Sequence, residues 1–483
     1  MKLRVKSTSL AGLAAAVVLV LAGCGGVVEG QATSSLYNPS RVGGMAVTDG
    51  PSGLRPDGPA PTGAVINTDN GDIDKLATLS INDLEEYWQN NYSPALPGTF
   101  RPVDSLMSYD AREHGPEFCG HDTYEVVNAS YCLGNRQISW DRGLFLPIAK
   151  KFFGELAVTG VLAHEYGHAL QRMANLTNPR RTSVLVAEQQ ADCFAGDYLR
   201  WVAEGSSTRF ELSTGEGLNK VLAGLLVLRD PVLSPLDDPG DGHGTAIERI
   251  SAFQLGFTSG SSACAGIDAA EIKRRQGDLP DSLKVDPLGG LISRDAEIDE
   301  ELLGNAMEVL GAVYAPANPP TLTLTESPCA DAEATPPVSY CPSTNTIAVD
   351  LPGLQKVGQP ASEKNLVLVQ GDNSALALLT SRYALAVQQG RGMPLRGAVV
   401  GLRTACLTGA AQRAMAQDVK TPSGATLVLT AGDIDEAVAG LLSNGLAASD
   451  VDGGTVPAGF TRIVAYRSGL VGANLEDCYS RFG

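Results

Sequence analysis

The segment His164-Glu165-Tyr166-Gly167-His168 sets two imidazoles four residues apart with a carboxylate between them. On a helix, positions i and i+4 share a face, so both rings can meet one metal ion while Glu165 reaches the water that ion activates. That is the opening of a zinc hydrolase site. The chain has five histidines, at 114, 121, 164, 168 and 243, and this spacing of two of them around a glutamate is a specific signal.

Zinc hydrolases need a third protein ligand and an open fourth position. Glu188 is the candidate third ligand. Asp192, one helical turn further on, can accept the outward N–H of a ligand histidine and so fix its tautomer and orientation. A solvated acidic face is the other use of such a pair; the upstream histidine motif favours the ligand reading.

Two helices must hold these groups. The stretch from Gly154 to Asn175 reads as one, and Ser183 as the N-cap of another that runs towards Trp201. Pro179 separates them, which lets the two pack antiparallel and bring their polar groups together. Just upstream, Arg136–Asp141 alternates, with Ile138 and Trp140 on one face, and reads as a strand. That strand is either an edge along which an extended peptide lies or a support whose Trp140 simply packs in the core.

Ala163–Gln171, then Glu188–Gly196, then His243–Phe257 resemble, in that order, the bacterial neutral zinc metallopeptidases, and among them the LpqM-type actinobacterial lipoprotein peptidases. The resemblance covers roughly residues 76 to 265 and implies a gluzincin, with one Zn2+ on His164, His168 and Glu188 and with Glu165 as base. The block that opens at His243 departs from the family in carrying Thr245-Ala246 where a serine pair is usual. His243 itself sits in Asp-Gly-His-Gly, where it either hydrogen-bonds the oxyanion of a tetrahedral intermediate or caps a helix; the family block favours the first. Tyr131 is a further oxyanion candidate, although its recurrence as Tyr340 argues for a structural role.

The N-terminus indicates a compartment. Lys2, Arg4 and Lys6 precede an apolar run from Leu10 to Val20, too short to span a bilayer, and then comes Leu21-Ala22-Gly23-Cys24. This looks like a lipoprotein signal, residues 1–23, with Cys24 as the lipidated first mature residue; an ordinary secretory signal is the alternative. Residues 24–75, rich in Gly, Pro, Ser, Thr and Asn, read as a flexible tether. With 43% hydrophobic and 19% charged residues, the 483-residue chain can bury the cores of two domains. Its net charge of −18 argues against nucleic-acid binding, and it has no P-loop or dinucleotide fingerprint.

The second half repeats the first. Ser130–Asp141 returns as Ser339–Asp350, keeping the Ser-Tyr-Cys start, the isoleucine and the final aspartate. Val161–Gln171 returns as Leu378–Gln388, with His164, Glu165 and His168 replaced by Ser381, Arg382 and Leu385. Cys193 and Gly196 recur as Cys406 and Gly409, while Glu188 falls on Gly401, Asp192 on Ala405 and His243 on Val456. Packing and cysteine positions recur while every metal-binding group is lost, as a tandem duplication with one dead copy would leave.

Nine cysteines less Cys24 leave eight, four in each half. An extracytoplasmic compartment permits disulfides, and a duplication requires the same pattern within each half; the simplest solution is Cys119–Cys132 with Cys329–Cys341, and Cys193–Cys264 with Cys406–Cys478. The sequence therefore predicts an α+β protein of two tandem zincin-like (gluzincin) domains, 76–280 catalytic and 290–483 degenerate. It would be anchored to the membrane through Cys24 and hydrolyse peptides or proteins of the cell envelope, with a protein partner as one use of the second domain. The alternative is a non-catalytic envelope protein that uses the same folds for binding or scaffolding; a zinc hydrolase acting on another substrate is a more distant one.

Overall fold

A buried carboxylate ties the first half's helices to its sheet. Asp74, 2% exposed, accepts hydrogen bonds from Thr68 Oγ1 at 2.7 Å, Ser108 Oγ at 2.6 Å and the Trp140 indole at 2.8 Å. Burying a charge is costly unless several donors satisfy it, and here three side chains converge on one acid.

The computed structural model describes residues 37–178, 180–231, 242–277, 279–280, 284–285, 291–292, 296–325, 328–360, 368–417, 419–472 and 474–483. The leader and Cys24 lie outside the described residues. The chain begins with short strands β1 (Arg41–Val42), β2 (Met45–Ala46), β3 (Gly53–Leu54) and β4 (Val65–Ile66). Then come α1 (Asp72–Ala95), β5 (Ser105–Tyr109), β6 (Ala129–Cys132), β7 (Gln137–Asp141), α2 (Phe145–Phe153), α3 (Glu155–Ala174) and α4 (Val184–Ala203). The first half closes with β8 (Phe210–Glu211), α5 (Glu216–Val227), α6 (Ala246–Ser259), α7 (Ser261–Ala265) and α8 (Ala269–Gln276). The fold is mixed α and β, with helix predominant, and no helix among the described residues is long and apolar enough to cross a membrane.

Two expectations need correction. Residues 37–75 are not free tether: β3 pairs with β8, β4 pairs in parallel with β5, and Val42 is fully buried. Their polar composition hides this, because backbone pairing and hydroxyl contacts such as Thr48 with Thr214, not apolar periodicity, hold them down. Nor is β7 an edge. The sheet order is β4-β5-β7-β6, so both ladders of β7 are occupied and β6 is the edge strand. Trp140 is wholly buried on Asp74, which settles its role as packing.

After a short ribbon of β9 (Lys284–Val285) and β10 (Leu291–Ile292), the second half runs through the same series. It comprises α9 (Glu300–Tyr314), β11 (Thr321–Thr323), β12 (Val338–Cys341), β13 (Thr346–Val349), α10 (Leu351–Val357), α11 (Asp372–Gly390), α12 (Ala398–Met415), α13 (Asp433–Leu442), α14 (Gly459–Val471) and α15 (Leu475–Arg481). Its sheet, β11-β13-β12, repeats β5-β7-β6 in order and direction, and Tyr340 faces Ile347 as Tyr131 faces Ile138. The four disulfides are Cys119–Cys132, Cys193–Cys264, Cys329–Cys341 and Cys406–Cys478, all within halves as expected.

Glycines set the closest helix contacts, again twice. A Cβ on Gly256 would sit 1.8 Å from the carbonyl oxygen of Cys193, and one on Gly469 the same 1.8 Å from that of Cys406. Helices α4 and α6, and α12 and α14, therefore touch backbone to backbone. Gly256→Ala forces them apart and is expected to destabilise by about 1–3 kcal/mol, the usual range for overpacking a core. Thermal unfolding measures it, and a midpoint equal to wild type would refute the close contact.

Candidate functional site

Gly154, at φ +87°, ends α2 and starts α3, a left-handed conformation that favours glycine. Helix α3 then runs to Ala174 and stops at Asn175, which adopts αL at φ 54°. Ser183 caps α4 by accepting from Val186 N. What lets α4 approach α3 is Gly167, inside the His-Glu-Tyr-Gly-His run: a Cβ there would lie 2.8 Å from Ala191 Cα. The two helices pack close at that point, and Glu188 reaches across.

The approach gathers His164, His168 and Glu188, with one donor atom of each within 4.8 Å of the others. His164 Nε2 is 3.0 Å from Glu188 Oε2, and His168 Nε2 is 3.5 Å from Glu188 Oε1. Both outward ring nitrogens are engaged elsewhere. His164 Nδ1 lies 2.7 Å from Asp192 Oδ1, and His168 Nδ1 lies 3.1 Å from Gln171 Oε1. With Nδ1–H donated to these acceptors, each ring turns its Nε2 inward, where a metal ion would take the lone pair in place of a proton. Two imidazoles with fixed tautomers and one carboxylate form a donor set that fits zinc. The other close groups among the described residues fit it less well: Cys329 and Cys341 beside Asp331 are disulfide-bonded, and Asp372, Asp433 and Glu436 offer no imidazole.

Charge at the site is arranged for a cation. Burial works against a protonated His164, but the Asp192 and Glu188 carboxylates override it and hold the ring up at about 10. Burial likewise opposes the charge on Glu188, yet hydrogen bonds from both histidines keep its carboxyl well below the usual range. Asp192 is buried completely and held at about 2, chiefly because Arg249 outweighs the burial cost. Glu165 differs. Burial pushes its carboxyl up against the pull of the two histidines, and its Oε2 accepts from the backbone N–H of Tyr131 on β6, at 2.9 Å. The Tyr131 hydroxyl is buried without a hydrogen-bond partner among the described residues, and this residue meets Glu165 through its backbone.

His243 stands at the rim, half exposed, with Nε2 3.5 Å from Glu188 Oε2 and its ring 6.2 Å from that of His164. Three groups at the site carried no sequence signal of their own. Asp230 takes His243 Nδ1 at 3.2 Å and Gly244 N at 2.8 Å, and nothing in its spacing marks it. Arg249 grips Asp192 through Nε at 2.9 Å and Nη2 at 2.8 Å; its place in the block that begins at His243 was the available hint. Gln171, three residues after His168, lies on the same helical face.

Beside the cluster opens a cavity of about 320 Å³. Phe145, Ile148 and Phe153 of α2, Val161 of α3, and Val221 and Leu225 of α5 supply its walls, with His164, Glu165 and His243 at one end.

In the second half the position that corresponds to Glu188 is filled. A Cβ on Gly401 would meet Ala448 O at 2.6 Å and Val456 Cγ2 at 3.0 Å, so the turn Leu446–Ala448 and the residue at the His243 position fill the space of Glu188. Arg382, in the place of Glu165, is buried and donates to Val338 O at 3.1 Å and Ser449 Oγ at 2.9 Å. Only the ligand position is filled: a smaller cavity of about 200 Å³ remains beside it, between Ala377 and Leu378 of α11 and Ala437 and Gly440 of α13. Compared with known proteins, the chain matches no family model, no curated protein and no solved structure.

Proposed function

We propose that this chain is a zinc-dependent endopeptidase of gluzincin type, active in its first half and degenerate in its second, and lipid-anchored outside the cytoplasm through Cys24. The observation that carries the reading is the convergence of His164, His168 and Glu188 beside a buried carboxylate, Glu165, that takes no part in holding them. The four disulfides support the compartment.

His164, His168 and Glu188 would hold a zinc ion, which when bound would supply a Lewis acid and lower the pKa of a water. Glu165 takes the proton of the attacking water and later delivers it to the leaving amine; a carboxyl raised by burial suits that exchange. His243, held through Nδ1 by Asp230, presents Nε2 to the site and donates to the oxyanion as the carbonyl carbon becomes tetrahedral. Asp192 and Gln171 hold the two ligand rings, and Arg249 holds Asp192.

The adjoining cavity gives the expected preference: a bulky apolar residue next to the scissile bond. Leu225→Trp should fill it and slow cleavage beside Leu or Phe by about 10- to 200-fold, the discrimination such pockets reach, while sparing cleavage beside Ala. Equal losses on all three substrates would remove the cavity from substrate recognition. The reading as a whole is tested by incubating full-length protein with an unbiased peptide mixture and mapping new termini. Cleavage by wild type and not by Glu165→Gln is expected; identical termini from both would refute it.

A further inference from the structure

Asp435 stands on α13 in the second half, yet the groups it holds belong to the first. It is 3% exposed and accepts from the backbone N–H groups of Ala246 at 3.1 Å and Ile247 at 3.3 Å, the first turn of α6. Its Oδ2 also lies 3.4 Å from Arg229 Nε, outside hydrogen-bond alignment, so that attraction is electrostatic. Both contacts lead towards the metal cluster. Arg229 precedes Asp230, which holds His243 and Gly244, and Asp230 N donates back to Gly244 O at 3.2 Å. Arg249, one turn into α6, reaches Leu228 O and clamps Asp192. A single carboxylate from the second half thus ties down both segments that meet at the site, 228–230 and 243–249.

The reciprocal contact sets this apart from generic packing. Helices α5 and α13 are counterparts, as are α6 and α14, and they meet with two-fold character: α13 caps α6, and α5 caps α14 through Asn219 Oδ1, which accepts from Gly459 N at 2.9 Å. Self-complementary contacts of this kind are those of a symmetric dimer. The two crossings nevertheless differ. Away from the cluster a neutral amide accepts one N–H, and glycine, Gly445, takes the place of Arg229. Towards the cluster an acid accepts two and faces an arginine. A neutral side chain can evidently cap such a helix, whereas the acid carries a cost, since burial lifts its carboxyl to about 6.

We propose that Asp435 is a positioning residue for the first-half site, through which the second half holds His243, Asp230 and Arg249 in register with His164, His168 and Glu188. Its kinetic consequence rests on the peptidase reading; its structural consequence does not. Three full-length variants test it: Asp435→Ala, the near-isosteric Asp435→Asn, and Asn219→Ala as the symmetric control. In metal-free protein, amide exchange at 228–230 and 243–249 should quicken by about five- to tenfold in Asp435→Ala, as loss of a helix cap predicts, less in Asp435→Asn, and not in Asn219→Ala. With zinc restored to wild-type stoichiometry, Asp435→Ala should lose at least about tenfold in kcat with KM little changed, because a displaced His243 weakens the transition state and not the bound ground state. Unchanged exchange in Asp435→Ala overturns the proposal, as does an equal change in those segments in Asn219→Ala. A wild-type kcat in an enzyme whose segments have loosened overturns it too. A wild-type protein that hydrolyses nothing refutes the peptidase reading instead, and the exchange data still decide the role of Asp435.

Discussion

Glu165→Gln should keep its zinc and its fold and lose hydrolysis by about 10²- to 10⁴-fold, the range that a positioned general base supplies. The amide oxygen of glutamine can still accept from Tyr131 N, so β6 has no reason to move. What disappears is the proton acceptor. The measurement is a rate on any peptide that wild type cleaves, with zinc content determined on the same sample. Wild-type turnover in the variant would mean that another group accepts the proton, and His243 would be the first to test.

Glu188→Ala should fail in a different way, by losing the metal. Glu188 approaches the Nε2 atoms of both ligand histidines, and removing it leaves those two nitrogens without the third donor. Dialysed against a weak chelator, wild type should retain one zinc and the variant close to none. Uptake must also displace the protons that Glu188 and Asp192 stabilise on the rings, so wild-type affinity should rise with pH. Full zinc retention in Glu188→Ala would show that the third ligand lies elsewhere.

Much of this site was legible in the sequence because it is local. His164, Glu165 and His168 share a helix, and Glu188 and Asp192 share another, so the spacing alone fixes which side chains face together. The cysteine pairs were legible for a different reason: repetition reduces 105 pairings to the three that can occur alike in both halves, and the simplest of these is the one formed. Asp230 and Arg249 were not legible, since their partners, His243 and Asp192, come from other segments and no period links them. Residues 37–75 misled because strands as short as Gly53–Leu54 and Val65–Ile66 carry no alternation to detect. The edge assignment for β7 failed likewise, because order within a sheet depends on long-range pairing that the residues of one strand do not encode.

Under the duplication reading, the filled ligand position of the second half makes a loss of ligands there a one-way step. Writing histidines at Ser381 and Leu385 and glutamate at Gly401 would not build a site, because the new glutamate's Cβ would collide with the carbonyl of Ala448 and with Val456, and a buried arginine, Arg382, stands in the place of Glu165. The turn, Val456 and Arg382 would have to change together, and any one of them changed alone opens a void or strands a charge in the core. Selection acting on single substitutions has no downhill route back. A half in that condition is free to drift wherever it faces solvent, but is held fixed wherever the first half leans on it.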